Sequence, residues 1–182
     1  MTTNALINPI IPTEDTDKVN AIFKGIEEHL GFVPDGLRLY SISPPLLEAF
    51  VGSVGYFMAH PRLSQELLAM IRYLVSSDAK CSFCIDFNAG FLLNMGKTSE
   101  QLTEAQKNSN NAPLPDNEKV LLNIALAAIH NPEDVGKADI DLAVQAGFSE
   151  RDVFDAVVIS ANNKAFTHVL RTFKIEQQGT FA

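Results

Sequence analysis

Apolar positions along the chain recur at intervals of three and four residues, the period of a helix with one buried face. From Asp17 to Leu30 this pattern predicts a first helix, stopped by Gly31. Pro44 and Pro45 suit a first helical turn, and Leu46 to Met58 continues the helix before Pro61. Ser64 is placed to cap a third helix to about Asp78, and a fourth begins near Cys81 and ends around Gly96. Thr98 and Gln101 have the spacing of a capping box for a short helix over Glu100 to Lys107. Asn108 to Pro115, rich in Asn and Pro, reads as a loop. Beyond it come helices over Glu118 to His130, over Ala138 to Ala146 before Gly147, and from the Ser149 cap to about Phe173. The β-prone run Ala156 to Ser160 lies inside that last periodic segment, so helix is expected there too. The fold class is therefore all-α, in one domain.

A weak internal repeat divides the chain. With an offset of 84 residues, Ser76 falls on Ser160, Lys80 on Lys164, Cys81 on Ala165 and Cys84 on His168. The expected organisation is an N-terminal helical extension (1–30), a thiol-bearing half (31–97) and a second half (116–174), each half a helix–turn–helix unit.

Composition narrows the partners. A hydrophobic fraction of 46% and a charged fraction of 20% are those of a globular protein. A net charge of −8 offers no basic stripe for a phosphate backbone, so nucleic acid is not an expected partner. Met1 to Thr16 shows no basic-then-apolar leader, and no apolar run reaches the ~18 residues of a membrane span. A cytoplasmic setting without membrane contact is the default expectation.

The chain has two cysteines, in Cys81-Ser-Phe-Cys84. At i and i+3 in a first helical turn, two thiols share one face, and the helix N-terminus favours thiolate over thiol. Redox use is the leading reading. Two buried structural cysteines are the plain alternative. Zinc would need further ligands from His60, His130, His168 or carboxylates, none at motif spacing, so no metal or cofactor is assigned.

The segment Ser76 to Asn88 resembles the thiol motif of AhpD-like (carboxymuconolactone decarboxylase) proteins, a helix leading into C-x-x-C-x-x-x-H. Gly31-Phe-Val-Pro-Asp35 with Ser43-Pro-Pro-Leu-Leu-Glu-Ala49 is similar to that family's entry segment. Ala138-Asp-Ile with Ala146 to Val157 resembles the second half of its peroxidase-related members. The resemblance implies an AhpD-like helical bundle, a homo-oligomer (trimer or hexamer), a hydroperoxide or disulfide substrate and a dithiol reductant. It also implies that Cys84 attacks and Cys81 resolves. The family's histidine and glutamate positions are Asn88 and Ala69 here, so its proton relay is incomplete.

Helical geometry sharpens that gap. Cys81, Cys84 and Asn88 fall within a wedge of about 60°, whereas Asp86 projects about 160° from Cys84. An amide hydrogen-bonds a thiolate but takes no proton at neutral pH. Glu66, Arg72 and His168 are the candidate replacements. A solvated helix face is the expectation for Glu66 and Arg72, and a packed or surface histidine for His168. His29, His60 and His130 read as residues of helix ends. Phe83, Phe87 and Phe91 read as core or subunit contact. The functional expectation is a slow thiol-dependent alkylhydroperoxidase or disulfide reductase, the alternative a catalytically quiet oligomer serving as redox sensor or scaffold.

Overall fold

The computed structural model describes residues 4–176; residues 1–3 and 177–182, the outermost ends of the single domain expected over 1–182, lie outside them. All regular structure among the described residues is helical, as the hydrophobic period requires. The helices are α1 (Thr16–Leu30), α2 (Asp35–Tyr40), α3 (Pro44–Met58), α4 (Gln65–Asp78), α5 (Ser82–Asn94), α6 (Ser99–Lys107), α7 (Asp116–His130), α8 (Lys137–Gln145) and α9 (Glu150–Thr172).

Local chemistry sets most boundaries. Gly31 ends α1 in the left-handed region at φ 79°, which glycine enters without steric cost. Ser64 Oγ accepts from the Leu67 amide at 3.0 Å. Thr98–Gln101 and Ser149–Asp152 each close a capping box. Helix α2 went unanticipated: six residues after Pro34 are too few to display a period. The Asn108–Pro115 segment holds a 3₁₀ turn, pinned to α7 where Ser109 Oγ donates to Asn123 Oδ1 and Asn123 Nδ2 donates to Asn110 Oδ1.

Helix α4 is the centre of the molecule and packs on α5, α7 and α9. Leu67, Leu68, Ala69, Met70 and Ile71 are fully buried in succession. A helix buried on every side belongs inside a bundle, and each such Leu, Ile or Met contributes about 1.5–3 kcal/mol. Under the 84-residue offset α4 falls on α9, whereas α3 falls across the end of α7 and the start of α8, and the capping serines Ser64 and Ser149 are one residue out of register. The halves then diverge. Helix α9 runs unbroken through Asn163 and Lys164, whereas the first half turns at Lys80, the equivalent position, and starts α5.

Candidate functional site

That turn places the thiols. The Cys81 amide donates to the Ser76 carbonyl at 3.0 Å and the Lys80 amide to Ser77 at 3.0 Å, with Lys80 left-handed at φ 53°. This is a Schellman closure in which a lysine occupies the position usually given to glycine. The chain leaves it with Cys81 as N-cap of α5 and Cys84 at the third helical position, so the pair opens the helix as expected.

Both cysteines are free thiols, only 1% and 2% exposed. They sit in a small apolar cluster apart from the main core, with Leu39 of α2, Phe83 of α5, Leu170 of α9 and Ile175. Packing there is close: a Cβ on Gly36 would come within 3.0–3.2 Å of Phe166, Leu170 and Phe83. A backbone bond from Leu6 to Phe173 ties the two chain ends beside the cluster.

Electrostatics separates the thiols. Cys81 is lowered from an ordinary value near 9 to about 7, first by the hydrogen bond from Cys84, against the opposing cost of burial. The amide of Cys84, the positive charge of Arg171 and the amide of Phe83 add to the lowering. Cys81 makes no full capping hydrogen bond, so these amides act as the dipole field of a helix N-terminus. Cys84 is pushed up, first by its bond to Cys81, then by burial and the Cys81 charge, with Ser76 opposing. One proton is shared between two sulfurs, and the negative charge settles on Cys81.

Several expectations are corrected here. Arg72 does not lie on a solvated face: it is on the packed side of α4, and its Nε donates to Asn88 Oδ1 at 3.0 Å. Burial lowers its pKa to about 10, and the cation acting on the thiol pair is Arg171. Asn88 is buried, but its Nδ2 donates to the Cys84 carbonyl at 2.8 Å, so its amide is held by backbone. Two expectations hold: Glu66 lies on a solvated face, paired with Lys97 at 3.0 Å, and His168 is exposed. His60 is no free helix-end residue: its side chain is 2% exposed, and Nε2 donates to Asp155 Oδ2 at 3.1 Å. The amides of Arg62 and Leu63 donate to its Nδ1, which fixes the proton on Nε2. Tyr56 Oη donates to the same Asp155 oxygen at 2.6 Å.

Two further residues were invisible to spacing arguments. Tyr40, on the unanticipated α2, stands near Cys84, and burial raises its phenol. Asn163 donates to the Ser76 hydroxyl at 3.0 Å and to the Arg72 carbonyl at 3.1 Å, bracing the turn before Cys81. Among the described residues no three His, Cys, Asp or Glu side chains gather as a metal site. No described helix is long and apolar enough to cross a membrane.

The backbone has close counterparts among solved structures. An uncharacterized peroxidase-related protein from Silicibacter sp. TM1040 matches with TM-score 0.86 and 21% identity, over 99% of this chain and 95% of that one. The chain has the AhpD-like fold. An AhpD-core, peroxidase-related protein from Ralstonia eutropha JMP134 matches with TM-score 0.85 and 18% identity, over 100% and 96%. The debrominase Bmp8 follows with TM-score 0.75 and 22% identity, over 98% and 95%. No family model and no curated protein matches the sequence. The AhpD-like backbone is thus kept at identities near one in five.

Proposed function

We propose that the chain is a thiol-dependent peroxidase or disulfide reductase working through Cys81 and Cys84. The observation that carries this reading is the asymmetric pair at the start of α5, one sulfur lowered to about 7 and its partner holding the proton. The roles implied by the family resemblance are exchanged. The Cys81 thiolate attacks the hydroperoxide, the O–O bond breaks, and Cys81 becomes a sulfenic acid. The departing alkoxide takes the Cys84 proton. The Cys84 thiolate then attacks the Cys81 sulfur, the S–O bond breaks, and hydroxide leaves to be protonated by solvent. A dithiol reductant reopens the disulfide. The pair thereby supplies the proton transfer that Asn88 and Ala69 do not.

Turnover is slow in this reading, because 1–2% exposure requires the cluster to open before a peroxide reaches sulfur. The same burial favours the second reading, a catalytically quiet redox sensor. A debrominase among the structural neighbours adds a third substrate class, because two thiols ending as a disulfide supply the two electrons that replace C–Br by C–H.

Cumene hydroperoxide consumption with dithiothreitol as reductant, followed beside intact-mass spectrometry, tests the proposal. Catalytic consumption, loss of two protons per oxidised chain, and abolition by Cys81→Ser are expected. Reversible disulfide formation without catalytic turnover would select the sensor, and thiols inert to both peroxide and alkylation would sink both readings.

A further inference from the structure

A cleft of about 50 Å³ opens between α3, α4 and α9, and Arg72 is the only cation among its lining residues. Protein packs around most of this half-buried side chain, and its guanidinium opens on the cleft. Among the described residues no Asp or Glu oxygen pairs with it, and burial is the one influence on its pKa. At about 10 that pKa leaves Arg72 charged at neutral pH. A charge withdrawn from water without an opposite charge is costly, and such groups are ordinarily paired.

The rest of the cleft says what would pair it. Arg72 Nε is occupied by Asn88, and Asn88 is held in turn by the Cys84 carbonyl, so the guanidinium is fixed in direction. Among the described residues its terminal nitrogens meet no acceptor, and they form the fork that binds a carboxylate through two bonds. Phe50 and Phe166 stack at 4.6 Å between centroids and form an apolar wall, with Val54 at the rim. We propose that this cleft binds a small organic anion, its carboxylate inside on Arg72 and its flat apolar part at the open mouth against Phe50 and Phe166.

The position beside the thiols gives the site its use. Phe166 lines the cleft and also packs on the Cys81–Cys84 cluster, and Asn88 links Arg72 to the Cys84 backbone. A ligand seated there is one side chain from the sulfurs. The acid is therefore the substrate, or the part of it that docks, a role that rests on the thiol reading above. Binding itself does not.

Calorimetric titration of the full chain with benzoate, and with benzamide as its neutral analogue, tests the site. Benzoate is expected to bind at least tenfold more tightly than benzamide. Arg72→Met should remove that preference, and Ser53→Phe, which fills the half-buried rim while keeping Arg72, should weaken benzoate at least tenfold. The double variant Cys81→Ser/Cys84→Ser should bind benzoate as the wild type does. An absent thiol activity with benzoate binding intact would discard the substrate role and leave the site. Equal affinity for the two probes, no saturable benzoate binding, or benzoate binding unchanged by Ser53→Phe would overturn it, even if Arg72→Met fails to fold.

Discussion

Replacing Cys84 by Ala removes the largest influence on the Cys81 thiol, the hydrogen bond from its partner. In the native pair Cys81 stands at about 7, against an ordinary value near 9. At pH 7 this is the difference between about half ionised and about one per cent ionised, roughly 50-fold in thiolate. What would remain in Cys84→Ala is the N-terminal field of α5 and Arg171, both working against burial. The Cys81 midpoint should therefore rise by one to two units, lowering its thiolate at pH 7 by ~10- to 50-fold. Cys84→Ser keeps a hydroxyl donor and should fall between. Ultraviolet thiolate absorbance against pH reads this directly, without asking a reagent to enter a buried cluster. Stability should follow with a defined sign. A thiol whose folded pKa is lowered contributes stability that is complete above its unfolded value near 9. That contribution is lost as pH falls toward 7, so native stability should decline over that window and less so in Cys84→Ala. A wild-type pair that first ionises near 9, or a Cys84→Ala midpoint still near 7, would refute the assignment of charge to Cys81.

Other perturbations test the frame around the site. Asp155→Ala strands the buried His60 Nε2–H and removes the acceptor of Tyr56, so it should cost about 2–4 kcal/mol in denaturant unfolding, against about 1 for Tyr56→Phe. Gly36→Ala drives a methyl against Phe166, Leu170 and Phe83, and should cost about 1–3 kcal/mol while shifting the thiol titration. Lys80→Gly relieves a left-handed backbone at an exposed position and should raise the melting temperature by the equivalent of about 1 kcal/mol. The large apolar side chains left exposed include Leu46 and Met58 on α3, Leu142 and Val144 on α8 and Phe154 on α9. Sedimentation is accordingly expected to show a homo-oligomer, a trimer or its multiple. Phe154→Glu should weaken it, and a clean monomer at micromolar concentration would remove this expectation.

The sequence by itself determined the helices other than α2 and the thiol position, because both are written in near neighbours. A cap and its third amide, a glycine after an apolar run, and two cysteines one turn apart are local facts. So Ser64, Thr98 and Ser149 mark starts, Gly31 marks a stop, and Cys81 opens α5, all readable without a tertiary contact.

Only the tertiary structure decided what each polar residue does, because burial depends on partners far along the chain. Arg72 looked like a surface cation, since its own helix does not reveal that α5 and α9 close over that face. His60 looked like a helix-end histidine until Asp155, 95 residues on, met its Nε2. Asn88 faced the thiols by helical angle, yet the Cys84 carbonyl and Arg72 occupy its amide. The choice between the two sulfurs was likewise hidden. Spacing treats Cys81 and Cys84 alike, while the field of a helix start, a cation from α9 and an enclosing apolar cluster do not.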